Sequence, residues 1–168
     1  RGPPTPAAPT LPADAQRGRG EAEAAHGPVD VLVNSAGAAQ RTVPDELGPE
    51  AWRAAMDAKF FTYVHMIDGV IKRMGERGTG AVVNVIGSGG KTPSPYHLPG
   101  GPANAALMLI SAGLAAAYGP RGVRVNAVNP GATLTDRLQS GLEVAARLQK
   151  IPVDEALRIA KRFGSEHG

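Results

Sequence analysis

Val29-Asp30-Val31-Leu32-Val33-Asn34-Ser35-Ala36-Gly37 opens as an apolar run and breaks into small and polar residues. A short β-branched run of this kind predicts a buried strand, and small residues at its carboxyl end let a ligand approach the backbone of an open parallel sheet. Two later stretches share the pattern: Ala81 to Ile86, followed by Gly87-Ser88, and Val123 to Val128, followed by Asn129-Pro130-Gly131. The middle run is apolar enough to predict a strand covered on both faces. Between the strands lie helical periods. The first helix begins near Pro49, with Trp52, Met56, Phe60, Val64, Ile67, Ile71 and Met74 three or four apart, and Gly75, Gly78 and Gly80 end it. The second runs from about Ala103 to Tyr118, with Leu107, Ile110, Leu114 and Tyr118 toward the core, and stops at Gly119-Pro120. Strand, helix, strand, helix, strand is the order of right-handed parallel crossovers, so the fold class is α/β: part of a doubly wound parallel sheet, in three layers, with about three recognisable strands.

The chain has 168 residues, enough for one core and one domain. Pro3, Pro4, Pro6, Pro9 and Pro12 remove backbone donors and favour extended chain, so residues 1–20 read as a disordered tail. Residues 21–150 form the domain, with Glu21 to His26 closing a helix before Gly27-Pro28. Thr135 or Asp136 is expected to cap a further helix bearing Leu138, Leu142, Ala145 and Leu148. Residues 151–168 are a divergent end with a last short helix capped by Asp154. A net charge of +3 and a pI near 9.5 reflect scattered basic residues and no stripe interleaved with aromatics, which argues against a nucleic-acid surface. No run approaches the ~20 apolar residues of a membrane span and no signal peptide is evident, so a cytoplasmic location without a membrane partner is expected. There is no cysteine, and His26, His65, His97 and His167 lie too far apart in sequence to suggest a metal site.

Asn34-Ser35-Ala36-Gly37 resembles the Asn-Asn-Ala-Gly turn of short-chain dehydrogenases/reductases, and Val85-Ile86-Gly87-Ser88 and Arg124 to Gly131 fall in the order that family requires. The resemblance covers about Glu21 to Lys150. It implies a Rossmann-like fold, NAD or NADP as cofactor, and hydride exchange with a small carbonyl or alcohol substrate. It places Asn34, Ser35, Ala36 and Gly37 against the cofactor. Pro130-Gly131-Ala132-Thr133-Leu134-Thr135 matches the family's Pro-Gly-x-x-x-Thr, so Pro130, Gly131, Thr133 and Thr135 would hold the nicotinamide carboxamide. Ser88 would hydrogen-bond the substrate carbonyl.

The departures are as informative. The family's Thr-Gly-x-x-x-Gly-x-Gly is missing from residues 1–28, where Gly18 and Gly20 follow no strand. Its Tyr-x-x-x-Lys pair is missing too: aligning Asn104-Ala105-Ala106-Leu107 with Lys-Ala-Ala-Leu puts Gly100 at the tyrosine and Asn104 at the lysine. Counting from Trp52 puts Lys59 where the family has an asparagine, so lysine and asparagine look exchanged between helices; the plain alternative is a solvated Lys59 and an Asn104 in the first turn of its helix. The missing phenol is replaced by Tyr96 or His97, or its proton comes from Lys59. Gly87-Ser88-Gly89-Gly90-Lys91-Thr92 is no phosphate loop, because Val85 stands at its first glycine and Pro93 and Pro95 block the helix. The sequence thus implies a divergent, truncated family member with weak cofactor affinity and impaired activity, or a non-catalytic binding or dimerisation module. Its first strand lacks a neighbour, and its two striped helices imply a homo-oligomer.

Overall fold

The computed structural model describes residues 11–37, 43–95, 97–130 and 136–166. Three parallel strands, β1 (Val31–Asn34), β2 (Gly80–Val85) and β3 (Val123–Val128), lie side by side in chain order. Val31 pairs with Ala81 and Asn34 with Asn84, while Gly80 pairs with Val123 and Val85 with Val128.

The helices connecting them are α1 (Pro12–His26), α2 (Pro49–Ala55), α3 (Thr62–Arg77) and α4 (Gly100–Tyr118). Between α2 and α3 the turn widens to π geometry over Met56–Phe61, so the helix foreseen from Pro49 is one rod with a bulge in it. It continues through Gly75 and closes at Gly78, whose φ of 75° supplies the left-handed cap. Gly75 serves packing instead: a Cβ there would meet the Arg121 guanidinium, which also lies 5.0 Å from the Tyr118 ring. α4 starts at Gly100, three residues before the expected Ala103.

The larger correction concerns the amino-terminal stretch. Residues 12–20 belong to α1 and not to a disordered tail. The helix has almost no apolar stripe, which is why its pattern reads as loop. It is held by tertiary contact with α3: Arg19 lies against Gly69, and Glu23, which pairs with Arg19 within α1 at 2.6 Å, also pairs with Arg73 of α3 at 2.9 Å, while Ala15 is buried. Pro12 sits in the first turn, where its missing N–H costs nothing. Residues 1–10 lie outside the described residues.

Leu32, Val82, Ile86, Val123 and Val125 share one core with Tyr63, Ile67, Val70, Ile71 and Met74 of α3 and Leu107 of α4. Both helices therefore cover the same face of the sheet. Alternate residues point the other way, and there Val31 and Val33 are 58% and 59% exposed and Val128 is 48% exposed. Among the described residues the helical layer lies on that one face; the exposed positions of the other face are on β1 and β3, while in β2 Ala81 is buried and Val83 and Val85 are partly so. Gly100–Arg121 is long and apolar enough to cross a bilayer by length and composition, contrary to the sequence expectation; here α4 packs on β3 and buries Asn104 and Ser111. α5 (Asp136–Gln149) and α6 (Val153–Glu166) pack on each other through Leu142, Ala146 and Ala156. Lys150 makes the turn between them at φ 53°. Asp154 lies within the first turn of α6 instead of capping it, and Thr135 is outside the described residues.

Two left-handed glycines lead into β2 and β3. A Cβ on Gly122, itself at φ 75°, would run into the Gly78 carbonyl, whereas one on Gly78 would meet nothing within 4 Å. Gly122→Ala is therefore expected to lose about 2 kcal/mol or more in urea unfolding, and Gly78→Ala, which carries backbone strain alone, only about 1 kcal/mol. Equal losses would refute the close approach.

Candidate functional site

The carboxyl ends of three parallel strands make one edge of the sheet, where such sheets bind ligands. Asn34 and Asn84 reach it as register partners. Asn34 Nδ2 donates to Asn84 Oδ1 at 2.9 Å, Asn84 Nδ2 donates to Ser111 Oγ at 2.9 Å, and the Ser111 hydroxyl donates to the Leu107 carbonyl at 2.7 Å. All three side chains are buried. The side chain of Asn34 is thus committed to the sheet. Ser35 is exposed, Ala36 packs against the core, and Gly37 takes φ 138°. Nearby, the Tyr63 hydroxyl donates to the Val85 carbonyl at 2.7 Å.

Lys59 comes to this edge from the π bulge. Its stem lies against Gly37, with Cδ and Cγ 3.1 and 3.2 Å from where a Cβ on that glycine would stand, and its ammonium is 6.0 Å from the Tyr63 ring centre. Lys59 is half-buried and not a solvated helix residue. Any side chain at 37 would displace it.

Ser88 follows β2 in a 3₁₀ turn, Ser88–Gly90, fixed from two sides. Its backbone N–H donates to the Pro130 carbonyl at 3.1 Å, tying the end of β2 to the end of β3. Gly90 lies directly on α4, so that a Cβ there would sit 2.7 Å from the Ala105 nitrogen. Asn104, on the second turn of α4, is only 3% exposed; its Nδ2 points toward this turn, 3.9 Å from the Cβ position of Gly89, and its Oδ1 is buried without a hydrogen-bond partner. It is not a first-turn residue serving backbone donors. Asn129 Oδ1, beside Pro130 at the end of β3, is likewise buried without a partner. His97 folds back over the start of α4, and its ring lies 3.1 Å from the Cβ position of Gly89 and inside the space a side chain at Gly100 would take.

Ser88, His97 and Asn104 are therefore brought together, and Lys59 stands on a bulge packed against the same helix that carries Asn104. Tyr96, Gly131, Thr133 and Thr135 lie outside the described residues. Sequence reasoning passed over Asn84, Ser111, Tyr63 and Asn129. A lone Asn in the apolar run Ala81 to Ile86 was the available clue for Asn84, since a polar side chain inside such a strand must find a partner.

A groove between α1 and α3, lined by Glu23, Asp68, Lys72 and Arg73 among others, lies away from the strand ends. Some of its charges pair within it: Lys72 meets Asp68 at 2.5 Å, and the Asp68 carboxylate holds that ammonium above its ordinary range. Among the described residues no cluster of three or more His, Asp or Glu side chains is placed to hold a metal ion.

Residues 10–144 match the family model described as short chain dehydrogenase. The chain is 33% identical over 146 residues to 2,5-dichloro-2,5-cyclohexadiene-1,4-diol dehydrogenase of Sphingobium indicum, covering 86% of this chain and 58% of that protein. In three dimensions it resembles actinorhodin polyketide ketoreductase, solved with NADPH, at a TM-score of 0.81 and 28% identity over 88% of this chain and 57% of the other. It also resembles gluconate 5-dehydrogenase from Burkholderia cenocepacia J2315, solved with NADP and tartrate, at 0.74 and 25% identity over 90% and 63%. The chain spans about half the length of the curated relatives it matches.

The Asn34–Asn84–Ser111 chain makes a test of its own. Asn84→Ala strands the Asn34 amide and takes away the donor to Ser111 Oγ in a buried space, and should cost about 3 kcal/mol in chemical denaturation. In a double-mutant cycle with Asn34→Ala the two sites should couple by about 1 kcal/mol; strict additivity would mean the amides do not bond in solution.

Proposed function

Because the chain belongs to the short-chain dehydrogenase/reductase family, we propose that it is an NAD(P)-dependent oxidoreductase acting between the carbonyl and alcohol forms of a small molecule. The observation that carries this reading is the gathering of Ser88, His97 and Asn104 at the carboxyl edge of the sheet, beside two buried amide oxygens that lack donors. Those oxygens, on Asn104 and Asn129, suit the N–H of a carboxamide or the hydroxyls of a ribose, since a buried acceptor left unpaired costs free energy. The cofactor would be held by the backbone of Asn34, Ser35, Ala36 and Gly37, by Asn104 and Asn129, and by the segment Pro130, Gly131, Thr133 and Thr135. When bound, it supplies the hydride.

The chain's own residues do the rest. The Ser88 hydroxyl donates to the substrate oxygen and polarises the carbonyl, and its turn is held in place by Gly90 on α4 and by the bond to Pro130. A proton must reach that oxygen as the carbonyl is reduced, and Lys59, Tyr96 and His97 are the groups that could bring it. Among the described residues no glycine-rich turn meets a helix N-terminus to take a pyrophosphate, which favours weak affinity. One observation favours a second reading, a binding or assembly module without catalysis: glycine and asparagine occupy the two positions where the family resemblance asks for tyrosine and lysine. Under either reading the valines exposed on the open sheet face favour self-association.

Titration with NADP+ followed by NMR should shift the side-chain amide signals of Asn104 and Asn129, with a dissociation constant of about 100 µM or weaker. Silence of both amides at millimolar cofactor would sink the oxidoreductase reading. Sedimentation should show dimers or larger species, moved toward monomer by Val33→Asp on the exposed face; a monomer at every concentration would remove the association.

A further inference from the structure

The slot between Gly89 and Gly100 is occupied by one of the groups that could bring the proton of the proposed reaction. Gly89 belongs to the turn that carries Ser88, Gly100 opens α4, and neither has a side chain. The imidazole of His97 lies between them, with Cδ2 3.1 Å and Nε2 3.8 Å from the Cβ position of Gly89 and with Cε1, Nε2 and Nδ1 in the space a side chain at Gly100 would need. The Asn104 amide nitrogen comes to 3.9 Å of the same point beside Gly89. The path of the chain enforces this placement: the His97 N–H donates to the Ser94 carbonyl at 3.1 Å, and the Gly101 N–H donates to the His97 carbonyl at 2.8 Å, so residue 97 turns directly onto the start of the helix. The ring is half-buried, next in space to the segment that presents Ser88.

The Tyr63 hydroxyl, another proton-bearing group at this edge, already donates to the Val85 carbonyl. Imidazole is the side chain that most readily both gives and takes a proton near neutral pH.

We propose that His97, seated in the glycine slot, is the acid–base group of this site, giving its proton to the substrate oxygen that Ser88 polarises. The proposal rests on the oxidoreductase reading and assigns the substrate class as an aldehyde or ketone. In reduction the carbonyl carbon gains the hydride of the reduced nicotinamide, and the π pair of the C=O bond moves to oxygen. Oxygen takes the proton from the imidazolium, and the neutral ring regains one from the bulk solvent, so that each turnover consumes one solvent proton. The products are the alcohol and the oxidised nicotinamide, two electrons having passed from cofactor to carbonyl. The Asn104 amide nitrogen is directed at the point where ring and turn meet, while its oxygen is left for the cofactor.

The first arm of the test needs no cofactor. Gly100→Ala should drive the ring from its slot, shifting the His97 ring signals in NMR and raising its rate of modification by diethyl pyrocarbonate at least about tenfold, while in a His97→Ala background the same substitution should cost no stability. Unchanged signals and reactivity in Gly100→Ala would overturn the seating and the proposal with it. The second arm follows NADPH oxidation with butane-2,3-dione and with benzaldehyde. His97→Gln should lower kcat at least about a hundredfold, the scale of a lost acid–base group. The unsubstituted rate should fall as pH rises through the range where an imidazole loses its proton, well below the phenol range near ~10. That limb should vanish in His97→Gln, and free imidazole should restore turnover to His97→Gly. A His97→Gln variant with unchanged kcat and pH profile overturns this proposal alone, whereas an unsubstituted protein without turnover on either carbonyl overturns the oxidoreductase reading as well.

Discussion

The bond between Asn34 and Asn84 is the constraint on which the site depends. A parallel sheet has many nearly equivalent registers when its strands are runs of valine, and a slip of one residue turns every side chain to the opposite face. Two buried amides admit one register, because in any other each would lie among Leu32, Val82 and Ile86 without a partner. Asn84 then passes the constraint to Ser111, and so to the axial position of α4. Since α4 carries Asn104 and bears directly on the turn of Ser88, strand register and site geometry are set together.

Glycine determines how closely those parts approach. Gly90 lets the Ser88 turn lie on the backbone of α4, Gly37 admits the stem of Lys59, and Gly89 and Gly100 leave room for an imidazole. The π bulge over Met56–Phe61 works in the same direction, because widening one turn moves Lys59 off the path it would follow in a regular helix. The site is formed by backbone proximity as much as by side chains.

The three strands and the two crossover helices were legible in the sequence because each is a periodic apolar segment bounded by glycine or proline. β3 matches its expected bounds, Val123 to Val128, in full, and β1, expected over Val29 to Val33, spans Val31–Asn34. The amino-terminal part of α1 was not legible, unlike its end at Glu21 to His26, since the contacts that hold it to α3, Arg19 against Gly69 and Glu23 paired with Arg73, do not show in local pattern. Ser88 and Asn104 were singled out through the family resemblance alone, and the structure sets the turn of Ser88 beside Asn104. The seating of His97 was not legible, because nothing in Tyr96-His97-Leu98-Pro99-Gly100 says that the ring turns back over a helix three residues on. Tyr63 is the opposite case, a phenol present in the sequence whose hydroxyl is already taken by a strand carbonyl. One-sided cover of the sheet was also hidden, as an apolar run looks the same whether one face is packed or two.

One-sided cover also has a calorimetric meaning. The heat capacity released on unfolding tracks the apolar area that water gains, and for 168 residues the usual figure is ~2.0–2.5 kcal/mol/K. Val31, Val33 and Val128 are already wet in the folded chain and contribute little to it. The stability curve of the isolated chain is accordingly flatter than its length implies, with a correspondingly shallow dependence on urea. Covering that face would steepen both.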